Sequence, residues 1–183
     1  MATEARALYT GNGNDAVFVV GRQELPFNRL RVANHSKVFK AMFESNMADA
    51  QARRFVLKNT TFKAINQLVL ACYIGNPNLT KLDEAVDLFA LADLYDIPFI
   101  KEQCEECIKK SRRSLKKEHV VDMFISGDLC NSSILKTVAL DFMAKPSATN
   151  VADLPNFDEL SKRQMKQVVR RLSERINLDK NGI

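Results

Sequence analysis

The sequence predicts an α+β fold: a small three-stranded sheet flanked by helices, followed by an all-helical extension. Three observations point there. Apolar runs at residues 16–20 and 54–57, with Glu24 and Leu25 between them, have the length and the bounding residues of strands. From Phe62 onward apolar residues recur at helical spacing in one segment after another, punctuated by Gly, Asn and Pro. Of the 183 residues 46% are hydrophobic, enough for a buried core, yet no apolar run nears the ~20 residues of a membrane-spanning helix. The length suits one domain with an extension, or two small domains sharing an interface.

Residues 3–9 are expected to form a short helix, which Gly11-Asn12-Gly13-Asn14 ends. Residues 16–20 (A-V-F-V-V) follow as a buried strand, and Gly21-Arg22 turns the chain into a hairpin. Its second strand holds Glu24 and Leu25; Pro26, which has no N–H to donate, belongs at an edge or a strand end. Residues 28–33 make a short helix. Ser36 is an N-cap for a helix whose Val38, Phe39, Met42 and Phe43 fall at helical spacing. A solvated loop then carries Met47, and residues 54–57 form the third strand.

Phe62, Ile65, Leu68, Val69, Cys72 and Tyr73 line one face of a helix that Gly75-Asn76-Pro77 stops. Residues 82–95 are apolar nearly all round, which predicts a buried helix. Another begins after Pro98, turns Phe99, Ile100, Cys104, Cys107 and Ile108 inward, and runs out into a basic stretch. Helices over 118–126 and 132–144 bury Val121, Phe124, Ile134, Leu135, Val138 and Phe142. After a loop over 145–150, Ser161-Lys162-Arg163-Gln164 has the pattern of a capping box and opens a helix with Met165, Val168, Val169, Leu172 and Ile176. The tail from Asn177 is expected to fray.

Several chemistries fit poorly. The net charge of +5 is concentrated in residues 109–117 and 162–175. A basic run of this kind at a helix end complements the dipole, and no aromatic residues interleave it as a nucleic-acid platform requires. Cys104-Glu105-Glu106-Cys107 invites a metal or redox reading, but zinc needs four ligands and only His35 and His119 could assist from afar. A redox pair belongs at a helix N-terminus rather than mid-helix. Gly11-Asn12-Gly13 lacks the preceding strand of a phosphate loop. Two histidines without an evident carboxylate partner, no Gly-flanked serine, and Asp93 and Asp96 as surface or capping residues leave no catalytic, cofactor or metal site to name. Residues 1–15 are polar and Gly-rich, unlike a leader, and the four cysteines sit in apolar helical patterns; an intracellular home, cytoplasmic or nuclear, without disulfides is expected.

The residues themselves then carry a resemblance. Residues 15–20 (D-A-V-F-V-V), 30–43 (L-R-V-A-N-H-S-K-V-F-K-A-M-F) and 72–75 (C-Y-I-G), with Leu88, Ala90, Ala92, Asp93, Tyr95, Ile100 and Cys104, resemble the BTB/POZ domain. The likeness covers roughly residues 15–108 and is strongest to adaptor-type members such as speckle-type POZ protein and Kelch-like proteins. Residues 120–143 look like the helical pair such adaptors carry next, and Phe157-Asp158-Glu159-Leu160-Ser161 with Gln164, Met165, Val168 and Val169 is similar to the opening of a BACK domain. The expected organisation is a BTB/POZ domain at 1–111, a BACK-like helical extension at 112–176 and a tail at 177–183.

The resemblance implies a non-catalytic adaptor that joins a client protein to a cullin-3 ubiquitin ligase. The family grips that scaffold with a hydrophobic residue, any residue and a glutamate after the signature helix; here the triplet is Met47-Ala48-Asp49, with aspartate one methylene shorter. Phe43 and Tyr73 are expected to support Met47, and Tyr95 is a further candidate. Met is a flexible apolar plug, and burying one in a partner's groove contributes about 1.5–3 kcal/mol. Asp49 would order the loop or cap a partner helix. A homodimer is also implied, through Leu8, Tyr9 and Ala5 of a short N-terminal helix and through Arg31, where relatives carry an apolar residue. Arg31 therefore either finds an acidic partner or weakens the dimer. Asn28 replaces a histidine of structural role. Neither a MATH domain nor Kelch repeats accompany these segments, so the client binds the helices themselves or a longer chain supplies its site. The rival reading is a scaffold that self-associates or recruits a transcriptional partner without cullin.

Overall fold

The computed structural model describes residues 13–145 and 150–180. The helix expected over residues 3–9, and Leu8 and Tyr9 with it, lies outside the described residues. By internal contact the chain divides into two units, Met1–Thr80 with Asp87–Cys104, and Lys81–Val86 with Glu105–Ile183.

The first unit is built on a sheet of order β2-β1-β3. Strand β1 (Ala16–Val20) pairs antiparallel with β2 (Gln23–Phe27) through a turn in which Gly21 adopts φ 61°, a conformation glycine enters without a Cβ penalty. β3 (Arg54–Val56) lies parallel to β1 on the other side. Pro26 stands opposite Val17 within β2, an edge strand, where its missing N–H breaks no inner ladder. Between β2 and β3 come three helices: α1 (Arg29–Ala33), α2 (Lys37–Glu44) and α3 (Ala48–Ala52). Ser36 caps α2 as expected: its Oγ accepts from the Phe39 N–H at 2.9 Å and donates to the Tyr95 carbonyl. The loop expected around Met47 is instead mostly α3, closed by Arg53 in the left-handed conformation. Five residues are too few to show a helical period, which is why the Ala-Asp-Ala-Gln-Ala segment reads as loop.

Phe18 is fully buried at the centre of an aromatic core. Its ring stacks on Phe27 with centroids 3.9 Å apart, and Phe39, Phe43 and Phe55 surround it at 5.2, 6.2 and 6.2 Å. Helix α4 (Phe62–Ile74) lays Ile65, Leu68 and Val69 into the core and stops at Gly75 with φ 77°. Helices α5 (Leu82–Leu94) and α6 (Pro98–Ser111) follow, with Leu88, Phe89, Ile97 and Ile100 fully buried. Asp93 receives Lys101 in an ion pair, and Asp96 takes a left-handed turn after α5. Burial pushes the Cys72 thiol up to about 12, so that sulfur stays protonated and inert.

An ion pair ties β1 to α1. Asp15 Oδ1 accepts from the Arg29 N–H and Oδ2 from Arg29 Nε, both at 2.8 Å. Burial alone would raise the Asp15 carboxyl. The Arg29 hydrogen bonds and charge, with Arg53 nearby, outweigh it and hold the group below its ordinary 3.8. A carboxylate depressed on folding stabilises above its unfolded value and loses that contribution as pH falls through the folded one. Asp15→Asn is therefore expected to cost about 1–2 kcal/mol at neutral pH. Urea unfolding should show the gap from wild type closing under acid; a gap independent of pH would contradict the pairing.

In the second unit, 3₁₀ turns at Arg112–Ser114 and Lys117–His119 lead to an antiparallel pair, α7 (Val120–Leu129) and α8 (Ser133–Met143). Gly127, just beyond the helix expected over 118–126, lies inside α7. A Cβ there would meet Leu135 Cβ at 2.8 Å and the Lys136 nitrogen at 2.9 Å, so the residue is glycine because the helices approach too closely for a side chain. Turns at Val151–Asp153 and Phe157–Glu159 precede α9 (Lys162–Lys180). The Ser161 capping box is present: the Ser161 N–H donates to Gln164 Oε1 at 2.9 Å and the Gln164 N–H to Ser161 Oγ at 3.3 Å. α9 continues to Lys180, past the expected fraying point at Asn177, because no helix breaker occurs before Gly182. Asp128, nearly buried, accepts from Arg163 at 3.0 Å and Gln164 at 3.3 Å and anchors this helix start to α7. His119, expected without a carboxylate partner, has Asp83 Oδ2 at 3.9 Å, an exposed, solvated pair. Among the described residues no helix is long and apolar enough to cross a membrane.

Candidate functional site

Helix α2 buries Phe39 and Phe43 against the sheet, so the chain leaving it at Ser45 starts from a fixed point. Ser45 Oγ donates back to the Met42 carbonyl at 2.9 Å. Met47 is the N-cap residue of α3: its carbonyl accepts from the Ala50 N–H at 3.1 Å and the Gln51 N–H at 3.2 Å, while Gln51 Nε2 donates to the Asn46 carbonyl at 3.3 Å. Ala50 is buried and seats the helix. The backbone at Met47 is thus held from both sides, and its side chain is 70% exposed. Asp49 is exposed in the first turn of α3. An exposed apolar side chain and, two residues on, an exposed carboxylate are carried by one short, braced segment, a composition suited to a partner's apolar pocket and a donor.

The expected supporting residues divide. Phe43 lies inside the aromatic core, 4.8 Å from the Phe55 ring. Tyr95 is buried and stacks on Phe39 at 4.0 Å; burial raises its phenol. Both brace α2 from within. Tyr73 serves the start of α1: its hydroxyl accepts the Asn28 N–H at 2.7 Å and donates to Asn14 Oδ1 at 3.3 Å. Asn28 caps that helix by accepting the Arg31 N–H at 3.0 Å, the structural role expected of the position. Burial raises the Tyr73 phenol, and the Asn28 hydrogen bond and the Arg31 charge only partly offset it. The Arg31 guanidinium sits 5.0 Å above the Tyr73 ring, on the exposed side of α1, which gives this charge a place in the protomer.

Sequence reasoning missed Leu30, 70% exposed beside Arg31. Its neighbour Val32 is fully buried, and only the phase of this five-residue helix separates the two, which is too short a stretch to read from the sequence.

With these elements in place, comparison with known proteins adds two findings. The solved BTB domain of zebrafish PATZ1 is similar at 17% identity, covering 58% of this chain and 86% of its own, with a TM-score of 0.47. The family model of the BTB/POZ domain matches residues 8–112, a span that takes in the sheet, the aromatic core, the Met47 segment and helices α1 to α6. The chain therefore belongs to the BTB/POZ domain family, and residues 8–112 are a protein-interaction module.

Proposed function

We propose that the protein is an adaptor, without catalysis of its own, that brings a client to a cullin-3 RING ubiquitin ligase through Met47-Ala48-Asp49. The observation that carries this reading is the outward thioether of Met47 on a backbone pinned by two N–H donors. A plug already fixed in place loses little further entropy on docking, so more of its burial energy reaches the affinity. Asp49 supplies the acidic member of the triplet, one methylene short of the family's glutamate. The helices after residue 111 are read as the pair adaptor-type members carry, followed by the start of a BACK domain. Pull-down of cullin-3 tests the reading: wild type is expected to retain cullin-3 and Met47→Arg to lose it. Failure of folded wild type to retain it would favour a scaffold without cullin.

That second reading, self-association, draws on Leu30. A side chain 70% exposed next to an arginine already stacked on Tyr73 presents an apolar contact for a second copy, with the charge accommodated inside each protomer. Wild type is expected to sediment as a dimer that survives dilution, and Leu30→Glu as a single protomer. A lone protomer for wild type would mean that Arg31 acts against self-association.

A further inference from the structure

The second unit holds a groove of about 650 Å³ between α8 and α9, lined also by the tip of α6 and the turn after it. Its floor is apolar: Ile134, Val138 and Phe142 recur at helical spacing along α8, all half-buried, and Leu178 faces them from α9. Its rim is basic, with Lys109, Arg112, Arg113, Lys145, Arg171 and Arg175. Among the described residues two carboxylates line it, Asp141 and Glu174, and Arg171 spans both, reaching Glu174 Oε2 at 3.4 Å and Asp141 more closely. Beside the paired Arg171, the lining brings Lys109, Arg112, Arg113 and Lys145 around an oily trough, so among the described residues its charge is positive.

We infer that this groove receives an acidic amphipathic helix of a partner protein, with apolar side chains three and four residues apart on the floor and carboxylates against the rim. Charge complementarity selects the sign of the occupant, and the floor selects its amphipathic character. Nucleic acid fits less well. Asp141 and Glu174 would face its phosphates, and the Phe142 ring carries Lys145 at 5.0 Å rather than an open stacking face. A membrane fits less well too, because a flat bilayer touches the rim and leaves a recessed floor unfilled. The inference rests on the second unit alone and stands apart from the cullin reading.

The test is fluorescence anisotropy on the full chain with a labelled peptide of about four helical turns, leucine on one face and glutamate on the other. Saturable binding with a Kd of about 1–100 µM is expected. Raising salt from ~0.1 to ~1 M, which cuts the screening length from ~10 to ~3 Å, should weaken it about tenfold. A scrambled peptide of equal composition, and a double variant Arg112→Glu with Arg113→Glu at two exposed positions, should each lose at least ~tenfold. Absence of saturable binding to the folded wild type would overturn the inference. So would equal binding of the scrambled peptide, or tighter binding of an oligonucleotide or of phosphatidylserine vesicles at the same salt.

Discussion

Phe18→Ala is expected to lower the stability of the first unit by about 3–5 kcal/mol, a large share of the ~5–15 kcal/mol that holds a typical domain together. The ring is fully buried and packs among those of Phe27, Phe39, Phe43 and Phe55, which β2, α2 and β3 hold in place. Such surroundings relax little, so removal of the ring leaves a cavity as well as losing its transfer free energy. Urea unfolding followed by circular dichroism gives the number. Val56→Ala on the neighbouring strand, 55% exposed, is the control and should change stability by less than ~0.5 kcal/mol. Equal effects of the two substitutions would mean that the aromatic cluster is not the core of this unit.

Met47→Arg should behave in the opposite way, leaving stability within ~0.5 kcal/mol of wild type because the side chain touches solvent. Its effect is expected in binding. Docking of wild type buries the thioether for about 1.5–3 kcal/mol, and the variant forfeits that and must also desolvate an unpaired guanidinium at several kcal/mol. A loss of at least ~100-fold in affinity for cullin-3 follows. Met47→Leu keeps the apolar volume and should stay within ~tenfold of wild type. Asp49→Glu restores the missing methylene and should bind no more weakly than wild type.

Most of the fold was legible because its signals are local. The 16–20 run, the Ser36 and Ser161 caps, the Gly75 stop and the edge position of Pro26 each follow from one residue's backbone chemistry, and each appears in the structure. What escaped depends on contacts distant in sequence or on elements too short to show a period. The helix expected over 118–126 stops short of Gly127, and the close approach of α8 that requires a glycine there leaves no local signal. Helix α3 has no visible period, and the phase of α1, which puts Leu30 outside and Val32 inside, is equally hidden. At the candidate site, the exposure of Met47 was legible from the polar residues around it. The roles of Phe43, Tyr95 and Tyr73 were not, because an aromatic residue on a helix face looks the same in sequence whether it braces the core, pins a neighbouring helix or meets a partner.

The most direct measurement is isothermal titration of the folded protein with the N-terminal region of cullin-3, for wild type and for Met47→Arg at one salt concentration. The account predicts saturable heat with a Kd in or below the micromolar range for wild type and none for the variant at concentrations ~100-fold higher. Binding of the two proteins with equal affinity, or no binding by wild type, would contradict it.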